Sequence, residues 1–185
     1  MSEVDDAQLL ERARGGDEAA FSQLFARHQR MIYRYAVYMC GQDAGDDIVQ
    51  ETFLAVLRQN ARLDALRGPV AGYLLGIARH LAMKRLGPRG QEESLSDHIA
   101  SGSPAVLDDL TRAETIDAVR AAVQSLPPAY REVVVLCELH EISYAAAAGL
   151  VRCPLGTVRS RLHRARALLT SKLASISPAA STNKE

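Results

Sequence analysis

Hydrophobic positions along the chain recur at spacings of three and four rather than two, so the pattern predicts helices and no strands. Asp5 to Arg14 reads as a short helix stopped by Gly15-Gly16, glycine being suited to the left-handed residue after a helix. Asp17 can cap the next helix, whose apolar positions Phe21, Leu24, Phe25, Ile32, Tyr35 and Ala36 share one face. Gly41 and the polar run QDAGDD break that helix. Asp46 or Asp47 opens a third, with Ile48, Val49, Phe53, Val56 and Leu57 on one side. Gly68-Pro69 marks another break, and Val70 to Leu86 predicts a fourth helix ended by Gly87-Pro88.

The pattern then changes character. The stretch PRGQEESLSDHIASGSP, Pro88 to Pro104, is rich in Ser, Gly and acid and weakly apolar, which reads as a linker. Helical periodicity resumes at Leu107 and runs to Ser125, and Leu126-Pro127-Pro128 is a sharp stop. Tyr130 to His140 is helical again, two helices flank the Cys153-Pro154 turn, and the tail SPAASTNKE is expected to be disordered. The predicted fold class is therefore all-α. Two small helical domains, 5–87 and 107–174, are joined by a flexible acidic linker, 88–106, and followed by a tail, 175–185.

A length of 185 residues suits one ordinary domain or two small ones, and a hydrophobic share of 48% supports a packed core. The sequence has no apolar run near twenty residues, and its polar, acidic start lacks the order of a signal peptide, so a cytoplasmic location is expected. Cys40, Cys137 and Cys153 are widely spaced, form no zinc-type cluster, and read as three reduced thiols. His28, His80, His98, His140 and His163 are scattered. With no ordered Ser/His/Asp set, metal cluster or phosphate loop, the residues give no enzyme, metal site or cofactor.

Charge is neutral in sum, with 22 bases and 22 acids, but not in place. Gln91 to Ala118 carries seven acids and one base, whereas no acid occurs between Glu141 and Glu185. The cations concentrate in PLGTVRSRLHRAR, Pro154 to Arg166, which holds four arginines and a histidine. Pro154 suits a helix start. Val158, Leu162, Ala165 and Leu169 form one apolar stripe, and Arg159, His163 and Arg166 lie on another side beside Ser160 and Arg164. The preceding SYAAAAGLV is a short helix of small residues that permits a close crossing. Together they make a helix-turn-helix pattern whose second helix can enter a DNA major groove. The other reading of the same cations is a solvated helix face favoured by the helix dipole. The Thr157–Ser160 pair and the lack of an acid to pair the arginines favour DNA.

These residues carry a resemblance. SYAAAAGLVRCPLGTVRSRLHRAR and the preceding LPPAYREVVVLCELHEIS resemble region four of a bacterial RNA polymerase sigma factor. GDEAAFSQLFARHQRMIYRYA, DDIVQETFLAVLR and GYLLGIARHLAMKRL resemble region two. The chain resembles the extracytoplasmic-function group of the sigma-70 family, which keeps only these two regions, over nearly all of Asp5 to Lys172.

The resemblance implies an initiation subunit that binds core RNA polymerase and promoter DNA, with no catalysis of its own. It implies docking on the clamp helices of the largest polymerase subunit through Asp46, Asp47, Gln50 and Glu51. Ile48, Phe53 and Leu54 supply apolar contacts or core; taken alone, Asp46-Asp47 reads first as a helix cap, a role that can coexist with binding. For the −10 element it implies Tyr73, Arg79, His80, Lys84 and Arg85. His80 follows Ile77-Ala78-Arg79, where the family usually has Asn lining a pocket for a flipped base. Tyr73 stands where the family often has Trp, as a core or a stacking residue, and Arg79, Lys84 and Arg85 would hold phosphates. For the −35 element it implies Thr157, Arg159, Ser160, Arg161, His163, Arg164 and Arg166. The chain departs from the family at Ala145 and Ala146, commonly acids, at Ala147, commonly Ile, and at Arg152, commonly Gly. Packing there is expected to be thin and the left-handed turn less easy. The acidic linker threads into the polymerase or is a solvated spacer, and an anti-sigma factor is an implied partner. The competing reading is a helix-turn-helix regulator that acts without polymerase; DDIVQETF and the Tyr73–Leu86 helix have no reason to exist in one.

Overall fold

The computed structural model describes residues 5–58, 69–92 and 112–174. All regular structure among them is helical: α1 (Asp6–Arg14), α2 (Glu18–Cys40), α3 (Gly45–Arg58), α4 (Val70–Glu92), α5 (Arg112–Gln124), α6 (Pro128–Val134), α7 (Tyr144–Val151) and α8 (Leu155–Ala174). The chain divides into two compact units, Met1–Gly87 and Pro88–Glu185. Gly87 takes φ 71° and ψ −174° and interrupts α4, so the predicted end of the fourth helix is a backbone break, beyond which residues 88–92 are helical. The predicted acidic linker from residue 93, the helix start at Leu107 and the tail 175–185 lie outside the described residues.

The first unit is built on α2. Ala20, Leu24, His28, Ile32, Tyr35 and Met39 follow one another at three or four residues and are buried, as is Ala36 beside them. Burial of a leucine, isoleucine or phenylalanine side chain is worth about 1.5–3 kcal/mol, so this stripe dominates the unit. α1 packs Leu9, Leu10 and Ala13 against it, α3 adds Ile48, Val49, Phe53 and Val56, and α4 adds Val70, Leu74, Leu75, Ala78 and Ala82. Phe21, Phe25 and Phe53 form an aromatic cluster with centroids 4.8–5.9 Å apart.

The turns follow the residues that make them. Gly16 takes φ 91° after α1, and Asp17 caps α2 by accepting from the Ala20 N–H (3.0 Å). That bond, with the Arg12 guanidinium 2.7 Å away, holds the Asp17 carboxyl below its usual value. Gly41, at φ 97°, ends α2. A 3-10 turn over Gln42–Ala44 leads into α3, which starts at Gly45 rather than at Asp46 or Asp47. A Cβ on Gly45 would meet the Tyr33 ring at 2.5 Å, so this close approach of α3 to α2 needs glycine. The two aspartates therefore lie in the first turn of α3, where the dipole favours negative charge.

In the second unit α6 is the central element. Pro128 occupies its first turn, and Ala129, Tyr130, Glu132, Val133, Val134, Val135 and Leu136 are all buried. Arg131 donates to the carbonyls of Gln124 and Leu126 (3.0 Å for the latter), satisfying groups that the end of α5 leaves open. The helix predicted to reach His140 instead widens into one π-turn over Val135–Leu139, closed by the His140 N–H on the Val135 carbonyl (3.1 Å). α8 packs Val158, Leu162 and Ala165 into this unit, and α7 lies across it.

Candidate functional site

On α3 the alternation of buried and exposed residues selects a face. Asp46, Asp47, Gln50, Glu51 and Leu54 are exposed, recurring turn by turn along one face, with Leu54 40% exposed. Ile48 and Phe53 are 0% and 2% exposed, so of the contact-or-core alternatives they take the core. They fix the face from beneath and offer a partner nothing to touch.

On α4 the side opposite Leu74, Leu75, Ala78 and Ala82 carries His80 and Lys84, both exposed. Arg79 and Tyr73 are half-buried. Arg14 of α1 donates to the Val56 carbonyl (3.1 Å) and reaches the Tyr73 hydroxyl (3.5 Å), so Tyr73 is tied to the body of the unit rather than offered as a free stacking ring. Arg85 does not stand alone as a phosphate ligand either. Its guanidinium lies 3.3 Å from Asp47 and 3.1 Å from Glu51, joining two faces that the sequence reading keeps apart.

In the second unit α7 and α8 form the helix-turn-helix. Ser143 caps α7 by accepting from the Ala146 N–H (3.3 Å), yet Ala147 is the buried residue of that helix, so its packing is as thin as the alanines imply. Arg152 adopts the left-handed conformation (φ 58°, ψ 48°) despite its side chain, and the turn forms. Pro154 directly precedes α8, its carbonyl receiving the Thr157 and Val158 N–H groups. Over the buried Val158, Leu162 and Ala165, α8 exposes Arg159, Ser160, His163, Arg164 and Arg166, with Thr157 and Arg161 half-exposed. The Ser160 hydroxyl donates to the Thr157 carbonyl (3.1 Å), and Arg164 reaches the Tyr130 hydroxyl (3.4 Å).

Arg166 corrects the expectation that no acid pairs these arginines. It bonds Glu138 at 2.5 Å and the Tyr144 hydroxyl at 3.2 Å. These bonds push its pKa up, and it joins α8 to the end of the π-turn and to α7. The acid comes from 28 residues upstream, a distance at which the local pattern of α8 is silent. Arg14 is a second positioning residue without a sequence signal. Cys137, half-buried and beside Glu138, has its thiol pKa raised, first by burial and then by that carboxylate, which disfavours the thiolate. Among the described residues no group of three or more His, Cys, Asp or Glu is placed to hold a metal, and no helix is long and apolar enough to cross a membrane.

Comparison with known proteins matches these two units to two family models. Residues 24–90 match Sigma-70 region 2, and residues 116–169 match Sigma-70, region 4. The ECF RNA polymerase sigma-E factor of Escherichia coli (strain K12) is 32% identical, over 94% of this chain and 97% of that protein. The chain belongs to the extracytoplasmic-function (ECF) sigma factors. The RNA polymerase sigma-H factor of Pseudomonas aeruginosa is likewise 32% identical, over 94% of this sigma factor and 96% of the relative. Two solved structures resemble it in fold. CnrH in complex with the cytosolic domain of CnrY has a TM-score of 0.68 at 24% identity, covering 93% of this chain and 99% of that one. The sigma factor RpoE in complex with the anti-sigma factor NepR from Bartonella quintana has 0.63 at 25%, covering 83% and 96%. As an ECF sigma factor the protein binds core RNA polymerase and directs it to promoters, and its family is not a family of enzymes.

Proposed function

We propose that the three exposed faces divide the work of initiation, in the bacterial cytoplasm, between polymerase docking and the two promoter elements. The α3 face, Asp46, Asp47, Gln50, Glu51 and Leu54, docks on the clamp helices of the largest polymerase subunit; Ile48 and Phe53 position it. The outer side of α4 meets the −10 element, His80 against an unstacked base and Lys84 on phosphate, with Arg79 and Arg85 adding charge. α8 enters the −35 major groove with Arg159, Ser160, His163 and Arg164, flanked by Thr157 and Arg161. Arg166 and Tyr73 position these surfaces through their hydrogen bonds to neighbouring helices. The segment 88–106 is a spacer between domains 5–87 and 107–174, and 175–185 a tail. An anti-sigma factor covers one or more of these faces when initiation is off; in support, the related sigma factor RpoE of Bartonella quintana forms a complex with the anti-sigma factor NepR.

One observation carries the reading. Arg159, Ser160 and His163 stand exposed in consecutive turns opposite a buried Val158–Leu162 seam, and among the described residues no carboxylate pairs with Arg159. A cation held outward on a rigid helix, without an intramolecular partner, suits a base edge or phosphate. The test is transcription by full-length protein plus core on a set of promoters altered one base pair at a time upstream. Arg159→Ala should cost about 1–3 kcal/mol and relax preference at one position. Unchanged promoter choice by Arg159→Ala and Arg164→Ala would make the cations a solvated face.

A further inference from the structure

The bond between Arg85 and the α3 carboxylates joins the face proposed for polymerase to the helix proposed for the −10 element. Asp47 and Glu51 are one helical turn apart, where two like charges repel. The Arg85 guanidinium lies between them, 3.3 Å and 3.1 Å away, and relieves that repulsion. The contact is accessible from outside: the Asp47 and Glu51 side chains are 64% and 51% exposed, and that of Arg85 is 32% exposed. A basic surface arriving on α3 can therefore reach the same carboxylates.

We infer that Arg85 is an electrostatic latch. In the free protein the two carboxylates hold it on α3. When cationic groups of a docked protein surface take Asp47 and Glu51, the guanidinium is released to join Lys84 and His80 on the same helix as a ligand for nucleic-acid phosphate. This rests on the proposed assignment of α3 to polymerase and α4 to the −10 strand. It adds a reason for DNA contact to depend on polymerase contact. The linkage is reciprocal, so phosphate engaging Arg85 strengthens docking on α3 by the same factor. Exposed ion pairs are individually weak, which sets the coupling at about three- to tenfold at low salt and less at high salt.

The test uses the full chain and a fluorescent single-stranded oligonucleotide carrying a −10 element, first without core. The double variant Asp47→Asn/Glu51→Gln should bind the strand about three- to tenfold more tightly than the parent. Adding Arg85→Ala should abolish the gain, and Arg85→Lys should keep part of it. The charge-matched double variant Glu18→Gln/Asp43→Asn, which removes two exposed acids that do not bond Arg85, should gain much less. An equal gain from that control, or a gain that survives Arg85→Ala, would overturn the latch while leaving α4 as the DNA-binding helix. No binding of the strand by any variant, with or without core, would overturn the latch and the α4 assignment together. Bound to core, parent and Asp47→Asn/Glu51→Gln proteins should differ little in strand affinity once saturated; a persistent gain of the same size would also refute the latch.

Discussion

Arg152 gives the most direct energetic test of the helix-turn-helix. It ends α7 with φ 58° and ψ 48°, a conformation in which an L side chain crowds the following carbonyl at a cost of about 1–2 kcal/mol. Its own N–H donates to the Ala148 carbonyl, and the Cys153 N–H does the same at 3.1 Å, so the turn is fixed by the backbone. The side chain is exposed and its removal exposes nothing. Arg152→Gly relieves the crowding but gives the unfolded chain more freedom, about 0.5–1 kcal/mol. The net gain is about 0.5–1 kcal/mol, or about 3–6 °C in the melting of a unit of this size. Arg152→Ala keeps a Cβ in the same conformation and should gain nothing. Calorimetry of the two full-length variants separates the conformational effect from loss of the charge. Equal melting temperatures for Gly and Ala would show that the turn carries no such strain.

Other outcomes follow from the ion pairs. Asp6 lies 2.7 Å from His28 and 2.7 Å from Arg27 across the α1–α2 contact. Burial alone would raise its pKa, but hydrogen bonds and charge from Arg27 and His28 outweigh this and hold it below the ordinary 3.8. A depressed carboxyl stabilises above its unfolded value and loses that stabilisation as pH falls through the folded one. Asp6→Asn should therefore be less stable than the parent at pH above about 5, and the two should converge as pH falls below 3.8 in urea melts. For Arg166, a strut predicts that Arg166→Ala and Glu138→Ala each destabilise by about 0.5–1 kcal/mol and couple in a double-mutant cycle. The salt slope of DNA binding should stay unchanged; a slope smaller by about one would make Arg166 a phosphate ligand instead.

Much of this architecture is legible in the sequence because its causes are local. Gly16, Gly41 and Gly87 take positive φ where the helices were predicted to stop, and Asp17 and Ser143 cap the helices that follow them. The apolar stripe of α8 packs at Val158, Leu162 and Ala165 as its spacing requires. What the sequence does not yield depends on which helix packs against which. Arg85 meets Asp47 and Glu51 over 34 to 38 residues of chain, and Arg14 meets Val56 and Tyr73 over 42 to 59. Local spacing places such side chains on a face but cannot name the opposite partner. Ile48 and Phe53 are ambiguous in the sequence for the same reason, since only the seating of α3 on α2 decides that they are core. The π-turn after Val134 widens a helix whose apolar run, VVVLCEL, reads as uninterrupted.

The central claim is that this sigma factor grips a promoter and opens it only as part of polymerase. The α4 surface carries few cations, Arg79, Lys84 and Arg85, and the chain is neutral overall, so attraction to DNA by the free protein is weak. Core would set the spacing of the two surfaces and raise the effective concentration of the second contact once the first is made. The decisive measurement titrates a promoter fragment with the protein alone and with the protein plus core, probing unpaired thymines with permanganate. Opening at the −10 element should appear only with core and should weaken when His80 is replaced by Ala. Tight binding to closed duplex without core, or no opening with core present, would contradict the account.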